Sequence, residues 1–335
     1  MVAKFVKICS RLGRGEEGQA IVVIALLFTA LCAFTALGVD GAMWYYQKTR
    51  MQAAADAASS AGTYEMSRNW NGSTISATVA TVRAQANTLA QANGFPTGQN
   101  VTLTFLDSNG QPLATQPTTT IASNTRGVKV SVQQNYSTSF ASIFGFSSLP
   151  VTTAGAGVFG AASGLNAFPL AVGGDAPMNY GVTWKVQPPG GGGDCSSNCV
   201  NFEMFAALPT QPYPTGTPPS VPLTIGGTQA TVSTPNSQTV SYINSLISAD
   251  PFNTSCSSPV TPSPRIVFLP YVDSTFPASS HTVLGFRALL FLSATSSPST
   301  LITGCWVRVN AASGTRGGSS TPYAGVTVIN SIAPP

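Results

Sequence analysis

Residues Gly18–Gly62 read GQAIVVIALLFTALCAFTALGVDGAMWYYQKTRMQAAADAASSAG, and the rest of the chain is organised around them. The stretch divides into an uncharged apolar run, an aromatic collar and an alanine-rich segment. Between Gly18 and Val39 there is no Asp, Glu, Lys, Arg or His. As a helix, residues 20–39 rise about 30 Å, the thickness of a bilayer's hydrocarbon core. The run predicts a membrane-spanning helix over residues 19–39.

Trp44, Tyr45 and Tyr46 follow where interfacial aromatics anchor a span at the headgroups. Six alanines then fall between residues 53 and 61, a strong helix signal. Ala54, Ala58 and Ala61 share one helix face, flanked by the equally small Ala55, Ser59 and Gly62. Such a face permits close approach and predicts packing against a partner, within the chain or in another. In this order, Gly18-Gln19-Ala20 opening the span, Asp40-Gly41 closing it, Tyr45-Tyr46 and Gln52–Ala58 resemble the TadE/TadG-like proteins of Flp (Tad) pilus assembly. The resemblance is close over about 50 of the 335 residues. Beyond them it is loose, as in RIVFLPYVD (265–273) followed by a strand containing Gly285-Phe286.

Only 8% of the residues are charged, against about a quarter in an average soluble domain. Yet 43% are hydrophobic, enough for a core, so polar positions are filled by Ser, Thr, Asn, Gln, Gly and Pro. That profile suits an extracytoplasmic β-rich protein better than a cytosolic enzyme. The few charges beyond the span nearly balance and are scattered, which excludes a nucleic-acid footprint. Lys4, Lys7, Arg11 and Arg14 precede the span, whereas Lys48 and Arg50 follow it closely. The positive-inside rule therefore keeps the leader, residues 1–18, in the cytoplasm and sends the remainder outward. A cleaved signal would have a shorter apolar region and a small-x-small site. The stretch reads instead as an uncleaved anchor.

Along the chain, the alanine-rich helix is expected to continue to about Met66. Thr74–Asn93 reads as a second helix, with Ile75, Val79, Val82, Ala86 and Leu89 at helical spacing and Gly94 and Pro96 as stops. Alternating VTLTFL (101–106), GVKVSVQQNYST and VTTAGAGVFGAA give three strands, with SFASIFGF (139–146) as a short helix or apolar turn. Most of the 25 prolines lie after residue 162, where many short strands and one amphipathic helix (237–249) are expected. The fold class is α+β: a transmembrane helix (19–39), an Ala-rich helix with a small α+β layer (40–162), and a mostly β, Pro/Gly-rich region (163–335).

Cys9 faces the reducing cytoplasm and Cys32 lies in the span. Cys195, Cys199, Cys256 and Cys305 fall outside, where oxidation is expected. They allow three pairings, of which Cys195–Cys199 with Cys256–Cys305 is preferred. No metal or cofactor is expected: Cys-x3-Cys lacks further ligands, and the glycines at 190–193 lack the Lys-Ser/Thr of a phosphate loop. Asp107-Ser108-Asn109-Gly110 reads as a turn. His281, the only histidine, stands in a Ser-rich context without a G-x-S-x-G elbow and reads as a solvated loop residue.

The resemblance implies a single-pass inner-membrane component of a bacterial pilus-assembly system, with most of the chain periplasmic. It would act as scaffold or anchor without catalysis. Its partners would be the membrane and other assembly proteins, with a homo-oligomer possible and no small-molecule substrate. Two departures refine this. Pilin-like members carry a glutamate five residues beyond the glycine at which the leader is cut, and counting from Gly18 that position is Val23. Asp273-Ser274-Thr275 falls short of the D-x-S-x-S site of the von Willebrand-type domain in longer TadG proteins. The chain thus resembles a TadG-type accessory protein without that domain. An adhesin or envelope-binding module on a signal anchor is the alternative, and a tethered hydrolase a third reading.

Overall fold

The computed structural model describes residues 16–173, 179–190, 198–206, 220–231, 237–256, 262–273, 276–296, 300–311, 314–317 and 326–334. The four leading basic residues, Cys9, Cys195 and most of the glycine- and proline-rich loops at 188–195 and 210–220 lie outside them. Helix α1 (Glu16–Arg68) runs 53 residues without interruption. At about 1.5 Å per residue it is roughly 80 Å long, far more than the domain beside it needs. It is the one helix among the described residues long and apolar enough to cross a membrane.

Helix α2 (Val79–Ala92) starts later than its periodicity predicts. Asn71 Oδ1 accepts the backbone N–H groups of Ser73 (3.0 Å) and Thr74 (2.7 Å), committing them to a turn. Thr78 becomes the cap instead: its hydroxyl accepts from the Thr81 N–H, while its own N–H donates to the Thr81 hydroxyl. Val79, Val82, Ala86 and Ala90 are buried. The expected stop at Gly94 holds, with a positive φ of 97° there.

Strands β1 (Thr102–Leu106), β2 (Gly127–Ser137) and β3 (Ser148–Ala167) form an antiparallel meander, with a 3₁₀ turn (Ala141–Phe144) at the tip of the long β2–β3 hairpin. The remaining strands are β4 (Leu170–Gly173), β5 (Thr183–Gln187), β6 (Cys199–Met204), β7 (Val221–Thr224), β8 (Thr228–Ala230), β9 (Ile266–Val272), β10 (Ser280–Thr295), β11 (Leu301–Val307), β12 (Val309–Ala311), β13 (Thr315–Arg316) and β14 (Val326–Ile332), with helix α3 (Ser237–Ala249) before β9.

The first sheet runs β1-β2-β3-β14-β12, with β7 and β13 pairing along the far half of β3. The boundary expected between residues 162 and 163 therefore falls inside β3. Strand β14 returns from the end of the chain to pair with β3 from Ala156 to Ala161. The second sheet runs β11-β5-β6-β4-β9-β10, and β10 also pairs with β11, so six strands close into a ring.

Alternation splits the ring's side chains between two cores. One face, with Leu170, Val186, Phe202, Leu269, Leu289 and Trp306, packs with Val240, Ile243 and Leu246 of α3. The opposite set, including Ala171, Phe286, Ala288 and Leu290, packs against Ala162, Leu165, Val326 and Val328 of the first sheet. The architecture is α+β with a mostly β C-terminal region.

Candidate functional site

The two halves of α1 meet different surroundings. From Ile21 to Val39 the large apolar side chains project outward: Leu26 is 68% exposed and Phe34 75%. From Met51 to Ser67 the helix is packed, with Met51, Ala54, Ala55, Ala58 and Met66 fully buried.

At the junction stands Asp40, the first acidic residue after the apolar run and only 4% exposed. Its carboxylate accepts the backbone N–H groups of Ser139 (3.0 Å), Phe140 (2.9 Å) and Ala141 (2.6 Å). These N–H groups open the 3₁₀ turn and would otherwise lack a partner in the turn itself. A lone carboxylate at the end of the apolar run thus holds the β2–β3 hairpin tip against the helix.

Farther out, the alanine face meets the glycines of β3. A Cβ on Gly155 would lie 2.7 Å from the Ala55 carbonyl oxygen and 2.6 Å from Asp56 Oδ1. One on Gly157 would lie 2.7 Å from Thr63 Oγ1, and one on Gly62 only 3.0 Å from Val128 Cγ1. Helix and strand approach this closely because both are lined with the smallest residues. Gln52 Nε2 spans the seam, donating to the Ala154 carbonyl (3.0 Å) and to Asp56 Oδ1 (2.9 Å).

The partner of the small-residue face is therefore the chain's own sheet, together with α2 through Val82 and Ala86. Ala54 and Ala58 lie in this contact, whereas Ala61 is half-buried. With Ala57, Ser60, Tyr64, Leu89 and Ile329 it lines an apolar groove of about 600 Å³ on the other side of the helix. The signal for the strand partner, Ala154-Gly155-Ala156-Gly157, was present in the sequence, but nothing in it announced contact with a helix 100 residues earlier.

His281 corrects the reading of a solvated loop residue: it belongs to β10 and is 1% exposed. Pairing with Gln229 of β8 fixes its backbone. Its Nδ1 lies 2.6 Å from Asp273 Oδ1, and its Nε2 lies 2.7 Å from Glu203 Oε2. The Phe276 ring covers it with centroids 4.6 Å apart. Glu203 and Asp273 sit on opposite sides of the imidazole, so the three do not converge on one point. Both ring nitrogens are committed to carboxylates, leaving neither free to take a proton from a nucleophile.

Cys256 and Cys305 form a disulfide that joins the segment after α3 to β11. Cys199 is also disulfide-bonded, and Cys32 is a free, exposed thiol. Near the same segment, Ser263 and then Asn253 donate to Asp250 and hold its carboxyl down to about 2.

Residues 18–64 match the family described as "Tad: Putative Flp pilus-assembly TadE/G-like". No curated protein and no solved structure matches the chain.

Proposed function

We propose that this chain, a member of the TadE/G-like Flp pilus-assembly family through residues 18–64, is a non-catalytic scaffold or envelope anchor of the assembly machinery. Its leader is cytoplasmic, α1 crosses the inner membrane once, and the two-sheet domain stands in the periplasm. The observation that carries the reading is the continuity of α1. The family-matching segment is one helix whose first half is bare and apolar and whose second half is the packed spine of the domain. Such an element sets a folded domain at a fixed place on a membrane. The commitment of both His281 nitrogens supports a role without catalysis.

A deletion strain tests the proposal. Loss of pilus filaments, restored by the intact gene, supports assembly. Normal filaments with lost surface attachment turn the reading to an adhesin. Mild-detergent purification from membranes should recover other assembly proteins with the chain, and recovery of the chain alone would count against a scaffold. Because Val23 stands where pilin-like members carry glutamate, the mature chain should keep its leader. A mature N-terminus at Gln19 would move it to the pilin-like class.

A further inference from the structure

We infer that the tip of the β2–β3 hairpin is a second membrane contact, seated in the interfacial layer of the leaflet through which α1 emerges; this rests on α1 spanning the bilayer. The tip exposes three large apolar side chains in one short segment: Phe140 (40%), Ile143 (78%) and Phe146 (61%). Single exposed hydrophobics are ordinary on a protein surface, but a cluster at the end of a projecting hairpin marks an interaction site.

Three observations identify the lipid surface as what covers it. The first is height. Asp40 binds the backbone of residues 139–141 directly, so the tip is fixed at the level of Asp40. Trp44, which opens the aromatic collar, lies four residues farther from the span, about 6 Å at the helical rise. The collar belongs at the headgroups, so a segment at the level of Asp40 lies at the boundary between headgroups and acyl chains.

The second is charge. No Asp, Glu, Lys, Arg or His occurs between Lys129 and Asp175, so the hairpin beyond Lys129, its tip included, carries no charged side chain. The third is backbone satisfaction. The Asp40 carboxylate takes three N–H groups of the turn, Ile143 N–H donates to the Phe140 carbonyl (3.1 Å), and Phe146 N–H donates to the Ala141 carbonyl (3.1 Å). The Thr138 hydroxyl donates to the Phe146 carbonyl. A turn with most of its backbone N–H groups bonded within the protein enters a poorly hydrated layer at reduced cost. On α1, Val39, Met43 and Tyr46, within six residues of Asp40, are exposed as well.

Depth-dependent quenching tests this. The full chain, with Cys9→Ser and Cys32→Ser, is reconstituted in phosphatidylethanolamine–phosphatidylglycerol vesicles containing lipids with a nitroxide high on the acyl chain. A polarity-sensitive thiol probe is attached at Ile143→Cys, at Phe34→Cys within the span, or at Asn109→Cys at the opposite end of the sheet. Interfacial seating at a depth of about 5–10 Å predicts that the Ile143 probe loses roughly half its emission, with a blue shift, while the Asn109 probe keeps its own.

A quenched Phe34 probe beside an unquenched, unshifted Ile143 probe places the tip in water and overturns the inference while the span stands. A blue-shifted but unquenched Ile143 probe means that protein, such as a second copy of this chain, covers the tip, and also overturns it. If no probe is quenched, the span itself fails and the tip with it.

Discussion

The two halves of α1 invert what a water-soluble helix does. Its largest apolar residues, from Ile21 to Val39, are exposed, while the small Ala54, Ala55, Ala58, Ser59 and Gly62 are buried. In water the first half would be the worst possible surface and the second a poor core. The pattern makes sense when each half is referred to its own surroundings. Hydrocarbon rewards bulk on the outside, whereas a glycine-lined strand rewards a helix that can come within contact of its backbone. Burial alone, read without asking what the surface touches, would rank the two halves the wrong way round.

The largest expected effect lies away from α1 and provides the reference for both halves. Cys256→Ser opens a link between residues 49 apart, and should lower domain stability by about 4 kcal/mol on the loop-entropy model. Chemical denaturation of the purified protein measures it. Membrane insertion should be unaffected, since nothing in the bare half depends on that bond.

Next comes the bare half itself. Leu31→Arg, near the middle of the span, should cost about 2.5–3.5 kcal/mol of insertion free energy. A carbonate-extraction or glycosylation-mapping assay reads that loss, while the melting of the domain, measured on the full chain in detergent, should be unchanged. Ala30→Leu one position earlier should be silent in both assays, because added bulk there meets only lipid. Destabilisation of the domain by Leu31→Arg would erase the distinction between the halves.

The packed half should respond in the opposite way. Ala58→Leu forces a side chain into the seam with β3 and should cost about 1–3 kcal/mol of domain stability, with insertion intact. Pilus assembly should fall with it. Gly155→Val attacks the same seam from the strand and should behave alike, since its Cβ would meet the Ala55 carbonyl. Normal melting of both variants would mean that the helix leans on the sheet without being held by it.

The smallest effect is a pH response. Asp250 is lowered in the folded chain, so its contribution is complete above the ordinary carboxylate pKa of about 3.9 and fades as the pH drops from there through about 2. Asp250→Asn should flatten a slight acid decline in melting temperature over that window. The bare half of α1, without charge, should show no such dependence in its insertion.

What could be read from the sequence follows the range of the forces involved. The span was legible because twenty successive residues answer to one solvent. The small-residue face was legible because helical spacing is local. Its partner was not, for Gly155 and Gly157 lie about a hundred residues on and look like any weak strand. The start of α2 was misplaced by competition between caps: Asn71 takes the backbone N–H groups that Ser73 and Thr74 would have offered a helix.

The boundary at residues 162 and 163 cut β3 because a proline-rich composition begins there while the strand's pairing does not end. His281 misled for the same reason as the glycines. Serines around it imitate a loop, and Glu203, which fixes one ring nitrogen, is 78 residues away.

The absence of any break in α1 has a mechanical consequence. The domain grips the helix in two places, at Asp40 and along residues 51–63, and both grips belong to one rigid rod. Each residue of an α-helix turns the axis by about 100°. The azimuth of everything the domain presents is therefore geared to the span. One residue inserted between Gly41 and Arg50 would turn the two grips out of phase by that angle, and the hairpin and the alanine seam could no longer hold the helix together. A twist or tilt imposed on the span by neighbours in the membrane would reach the far sheet undiminished, as through a shaft with no joint.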